Sequence, residues 1–172
     1  SGDEGYINAV ESSDLHTEVA KMVWPNMGWT EDQAQNRTLA ERPYYGNFSY
    51  RDVCKRAGHG TNYGASANTV ARHTKIKVAH ATRFQLLYFG GVIPLASLER
   101  WHKQDKKGGF DELMELGEKI GSGTQVLVRV AGAFPGIRTW HTEVIKELQS
   151  TGNLVTPFGR RRQFWGRLDD EH

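Results

Sequence analysis

Arg51, Lys55, His59 and Tyr63 follow one another at every fourth residue. On a helix, that spacing puts all four side chains on one face. Two permanent cations near the N-terminal end of such a helix, where unpaired N–H groups and the helix dipole already favour anions, form a place to hold a polyphosphate. A flat His and a flat Tyr one and two turns further on suit a sugar and a base. Read from its start, the stripe follows the order of groups along a nucleoside triphosphate. Spacing alone equally allows a solvated basic face with its two rings tucked toward the core. The glycines Gly58, Gly60 and Gly64 bear on that choice. Each costs a helix interior roughly 1 kcal/mol relative to Ala, and close approach of a partner is one reason to tolerate the cost.

The elements that must position this stripe are legible from caps and breakers. Ser49-Tyr50-Arg51-Asp52 carries the Ser-x-x-Asp start signal, which predicts a helix from about Tyr50 to Tyr63 that stops near Gly64. Asp14 precedes a periodic stretch, His16 to Trp24, in which Val19, Met22 and Val23 share a face, so Asp14 is expected to cap a short helix. Pro25 to Asn47 is polar and broken by Pro25, Gly28 and Pro43, and reads as a long connection with one turn of helix around Glu31 to Ala40. Ser66 is expected to cap a helix to about His73, and Lys75 to Phe89 is largely helical in pattern and ends at Gly90-Gly91. Further helices are expected over Leu95 to Lys103 and from Asp111 to about Ile120. In Thr124 to Phe134, Val126, Val128 and Val130 alternate like a strand, but the helical context tips the expectation to helix. Pro135 opens a helix through Gln149 with Gly152 as its stop, and Leu154 to Trp165 reads as strand, turn at Phe158-Gly159, strand. The expected fold class is mainly α, one domain over 1–172, with a short β-hairpin over about 153–166.

A chain of 172 residues with 38% hydrophobic content suits one domain of ordinary core size. Lys and Arg number 22 against 20 acidic residues, so the net charge of +2 decides nothing about nucleic acid and the distribution must. Basic residues gather at Lys55-Arg56, Lys103 to Lys107 and Arg160-Arg161-Arg162; the middle group reads as solvated surface. The single Cys54 excludes an internal disulfide framework and a thiolate zinc site, which fits a reducing, intracellular compartment. No apolar run reaches the roughly 18 to 20 residues a membrane helix needs, so no membrane partner is expected. Ser1-Gly2 and the charged ends suit an excised domain as well as a natural gene product. No phosphate-loop or dinucleotide-binding glycine pattern occurs. His73, His80, His102 and His141 form no paired ligand set and are expected to be surface or capping residues, with no metal site in this chain.

The run RDVCKRAGHGTNYGAS resembles the fingers-helix motif of family A, polymerase I-like DNA polymerases, in which Arg, Lys four on, an aromatic four further and Tyr-Gly four further line one face. Arg51, Lys55 and the Tyr63-Gly64 pair match it. DLHTEVAKMVW resembles the Asp-x-His-Thr segment that follows the family's first catalytic Asp motif, and AFPGIRTWHTEVIKELQSTGNLVTPFGRRRQF resembles its helix, hairpin and Gly-Arg-Arg run. The three stretches stand in family order and bracket nearly the whole chain. The resemblance implies a phage-type fingers segment lying between the two catalytic carboxylate motifs.

By that resemblance, Arg51 and His16 would touch the outer phosphates of the incoming dNTP, and Lys55 would neutralise the inner ones and act as the catalytic proton donor to the leaving pyrophosphate. His59 would face the sugar, Tyr63 and Gly64 the template base and nascent pair, and Arg160, Arg161 and Arg162 the DNA backbone. Two departures stand out: His59 occupies the place usually held by Phe or Tyr, and Gly58 that of an Asn. Residues from about 88 to 130 match nothing in the family and are expected to be an inserted or divergent helical part. Mg2+ in the parent enzyme would be held by palm carboxylates outside this chain, so the chain alone is expected to be inactive. The implied partners are the dNTP, template-primer DNA and the remaining palm, thumb and exonuclease parts. A phage-type single-subunit RNA polymerase and a non-catalytic nucleic-acid-binding module remain as alternative readings.

Overall fold

The computed structural model describes residues 3–12, 14–123, 125–155 and 159–163. Its first five α-helices begin where short polar side chains satisfy free backbone N–H groups. Asp3 accepts from Tyr6 N at 3.0 Å and starts α1 (Glu4–Glu11). Asp14 accepts from Thr17 N at 3.4 Å and starts α2 (Leu15–Val23). Asp32 starts α3 (Gln33–Ala40), and the buried Asn36 amide pins the preceding loop by accepting from Thr30 N at 2.9 Å and donating to Thr30 O at 2.8 Å. A hairpin of β1 (Pro43–Tyr45) and β2 (Phe48–Ser49) turns at Gly46 and delivers the chain to α4 (Tyr50–Asn62). There Ser49 and Asp52 form a full capping box: Asp52 N donates to Ser49 Oγ at 3.1 Å and Ser49 N to Asp52 Oδ2 at 3.2 Å.

Ser66 caps α5 (Ala67–Thr74), Lys75 turns the chain in a left-handed conformation, and α6 (Val78–Phe89) follows. Helices α2, α5 and α6 pack on α4, whose Val53, Cys54, Ala57 and Thr61 are buried among Val19, Ala20, Val23, Val70, Phe84 and Tyr88 in one continuous core. The last long helix, α9 (Pro135–Thr151), is followed by a hairpin of β6 (Asn153–Val155) and β7 (Arg161–Gln163). The fold is therefore mainly α with a short hairpin near the C-terminus, as expected. Phe158, half of the expected turn, lies outside the described residues, and so does Trp165.

Between α6 and α9 the structure departs from a helical reading. β3 (Gly91–Pro94), α7 (Leu95–Gln104), α8 (Phe110–Leu116), β4 (Glu118–Ile120) and β5 (Leu127–Val130) form a module with an antiparallel sheet in the order β3-β5-β4. Two expectations are corrected here. Thr124 to Phe134 holds a strand, because Val128 and Val130 are buried and Arg129 is exposed when β5 pairs on both sides. The helix expected from Asp111 to Ile120 ends at Leu116: Gly117 is extended, and a Cβ there would lie 2.2 Å from Val128 Cγ1, so the chain enters β4 packed close against β5.

The module leaves and re-enters at one point. Ala133 N donates to Leu87 O at 2.8 Å and Phe134 N to Tyr88 O at 2.7 Å, which ties the return to the end of α6. A Cβ on Gly132, whose φ is +75°, would lie 2.0 Å from Gly90 N. The two backbones touch, and only glycine fits there. Polar ties hold α7 and α8 against α6. Arg83, 1% exposed, donates from Nε to Gly109 O at 2.9 Å and from Nη2 to Glu112 Oε2 at 3.0 Å. His80, expected as a surface or capping residue, is buried between Tyr44 Oη and Asp105 Oδ2. Burial lowers its pKa even though Asp105 opposes the shift. The neutral ring donates from Nε2 to the carboxylate and accepts the tyrosine hydroxyl at Nδ1.

Candidate functional site

The capping box fixes the start of α4, and its exposed face then carries the predicted stripe. Arg51 is half-buried, Lys55 and His59 are exposed, and Tyr63, the C-cap, is 80% exposed. The His59 and Tyr63 rings lie 4.8 Å apart, tilted by 57°. Below them the end of α4 is held by the Asn62 amide, which donates to Tyr6 Oη at 2.9 Å and accepts from Tyr88 Oη at 3.0 Å. The Asn62 carbonyl meets His141 Nε2 at 2.7 Å, so α1, α6 and α9 all grip this one residue. His141, expected as a surface or capping residue, is a half-buried member of that grip.

A cavity of about 830 Å³ opens along the stripe. Lys55, His59 and Tyr63 line it from α4, His16 from α2, Tyr6 from α1 and His73 from α5. The structure thus brings together four of the predicted nucleotide-binding residues. Arg51 is not among the described lining residues; its guanidinium turns to Asp14, with Nε 3.0 Å from Oδ2 and Nη2 3.0 Å from Oδ1. The hairpin arginines Arg160, Arg161 and Arg162 are exposed and do not line the cavity either. Gly64 is left-handed at φ +76° with open space around it.

The cavity is cationic. Among the described residues Lys55 has no salt-bridge partner. His16 is pushed below its ordinary pKa first by burial and then by the Arg51 and Lys55 charges, with Asp14 opposing, so near neutral pH it presents an uncharged imidazole. Burial raises the Asp14 pKa, but the Arg51 and Thr17 hydrogen bonds outweigh it and hold the carboxyl at about 2. Cys54, on the cavity floor, is fully buried and its thiol is pushed well up by that burial, which makes it a packing residue and not a nucleophile.

Gly58 and Gly60 also line the cavity. A Cβ at Gly58 would meet the Tyr88 ring at 3.9 Å, and one at Gly60 would meet Val70 Cγ2 at 3.6 Å, both ordinary contact distances. The chain's own packing therefore does not demand either glycine.

Sequence reasoning missed Tyr6; His73, expected as a surface or capping residue, is exposed and also lines the cavity. α1 was not foreseen at all, although Asp3 followed by Glu4 is a weak start signal. Among the described residues no group of three or more His, Cys, Asp or Glu side chains is placed to hold a metal ion. No described helix is long and apolar enough to cross a membrane. No protein-family model matches the chain, and no curated protein matches it.

Proposed function

We propose that the chain is the nucleotide-gripping fingers segment of a family A, polymerase I-like DNA polymerase of phage type, acting in DNA replication. The reading rests on one observation: a cationic cavity of about 830 Å³, within the size range of small-molecule sites, is lined by His16, Lys55, His59 and Tyr63. Lys55 holds the inner phosphates and protonates the departing pyrophosphate; neutral His16 donates to the outer phosphates. His59 meets the sugar, and Tyr63 with Gly64 meets the base pair being formed. The two glycines that internal packing does not require lie where a ligand would approach the helix closely.

In the parent enzyme, palm carboxylates outside this chain would hold Mg2+, which would supply charge stabilisation for the attacking and leaving oxygens. The 172-residue chain is expected to bind dATP in a salt-sensitive manner and to extend no primer by itself. Isothermal calorimetry of dATP binding tests the first statement, with Lys55→Ala expected to weaken it about tenfold through loss of a charged phosphate contact. An affinity unchanged by Lys55→Ala, or metal-dependent extension by the chain alone, overturns this reading.

A further inference from the structure

Asp14 ties together two helices, α2 and α4, that each contribute a wall of the cavity. It is the N-cap of α2, accepting from Thr17 N at 3.4 Å and Thr17 Oγ1 at 3.0 Å, and it is also bound in a two-pronged pair to Arg51 of α4. His16, two residues on, faces Lys55, one turn beyond Arg51. The carboxylate is therefore fixed to one wall by its cap bonds and takes the first cation of the stripe away from the cavity that the rest of the stripe lines. A second cation stands beside it: Arg37, on a side chain that is 57% exposed, is held through Nε by Glu41 Oε1 at 2.9 Å and keeps Nη1 3.9 Å from Asp14 Oδ2. Asp14 would thus keep a counter-ion if Arg51 departed.

Resting on the nucleotide-binding reading above, we infer that Asp14 is an internal stand-in for phosphate. It holds Arg51 folded back while the cavity is empty and exchanges it for an incoming triphosphate, with Arg37 taking over the carboxylate. Two planar acceptor oxygens on Asp14 offer the guanidinium the same forked geometry as two phosphate oxygens. The exchange costs one charge-assisted pair and forms another, so Arg51 adds selectivity for a ligand with several adjacent anionic oxygens and little grip on a lone anion. Asp14 acts through Arg51 and is a positioning residue.

The test is calorimetric titration of the full chain with dATP and with inorganic tripolyphosphate. Asn caps helices as well as Asp does, so Asp14→Asn preserves α2 while removing the charge. It is expected to tighten tripolyphosphate binding about fivefold, and Asp14→Ser, also a good cap, should do the same. Removing a negative charge would by itself favour anions, so the decisive comparison is made in an Arg51→Ala background. There the gain from Asp14→Asn is expected to shrink to the small, salt-screened effect of the lost charge, because no guanidinium is left to release. A gain of the same size without Arg51, or no gain in either Asp14 variant, overturns the exchange while leaving the Lys55-dependent site standing. Loss of the Lys55 dependence removes the nucleotide reading itself and the exchange with it.

Discussion

At the scale of single residues, the molecule's most demanding group is Arg83. It is 1% exposed, its guanidinium lies 5.7 Å from the centre of the Trp24 ring, and its polar contacts are Gly109 O and Glu112. Burial depresses its pKa, and the neighbouring Tyr44 and Glu112 oppose that shift. Removing one partner of a buried pair leaves the other charge desolvated and unpaired, so Arg83→Ala is expected to cost about 3 kcal/mol, read as a lower urea midpoint at unchanged m. Arg83→Lys should rescue little, since one ammonium cannot replace the fork that spans a carbonyl and a carboxylate. Full stability in the Lys variant would mean that the charge, and not the fork, carries the contact. Nothing in the spacing of α6 distinguishes Arg83 from a solvated arginine. Its partners lie 26 and 29 residues away along the chain, beyond any local pattern. His80 escaped for the same reason: a histidine looks like a surface residue until Tyr44 and Asp105 close on it.

At the scale of elements, Gly132 provides the sharpest expectation. Its φ of +75° and the 2.0 Å approach of a Cβ to Gly90 N forbid a side chain twice over. Gly152 ends α9 at φ +65° with nothing within 4 Å. Gly152→Ala should therefore cost only the left-handed penalty of about 1 kcal/mol. Gly132→Ala should cost several times more, measured by thermal or urea unfolding, because the β3–β5 crossing must separate. Equal losses at the two sites would show that the backbones at Gly90 and Gly132 are not in contact. The same comparison shows which parts of the fold could be read in advance. Asp14, Ser49 with Asp52, Ser66, Pro135 and Gly152 act on their own helix ends within a few residues, so α2, α4, α5 and α9 were foreseen from local chemistry. The Lys55, His59 and Tyr63 face followed from helical spacing alone. Strands β3, β4 and β5 owe their state to partners brought in from elsewhere, and the alternation of Val126, Val128 and Val130 lost to a helical context that tertiary pairing overrides.

At the scale of the whole molecule, two basic regions stand apart. α9 spans 17 residues, and its contact with the end of α4 is at His141, near its beginning. The β6–β7 hairpin that carries Arg161 and Arg162 follows its far end, roughly 15 Å further along the helix axis at 1.5 Å per residue. In the proposed function that separation divides labour: the cavity grips a triphosphate and the hairpin holds DNA backbone. Changing Arg160, Arg161 and Arg162 together to Ala is expected to weaken duplex DNA binding more than dATP binding. It should also flatten the dependence of log K on log salt by about 2 to 3, the share of three phosphate contacts. Fluorescence titration across salt concentrations measures both, and an equal loss for DNA and nucleotide would place all the cations in one site. The crossing at Gly90 and Gly132 has another consequence for the same architecture. Because the bonds from Ala133 to Leu87 and from Phe134 to Tyr88 already join α6 to α9, the path length between them does not set their alignment. Residues can be gained or lost at the far turn of the β4–β5 hairpin, around Gly121 to Gly123, without transmitting a register shift to Tyr88 or Asn62. The module is thus a place where chain length is free to vary while the cavity wall keeps its position.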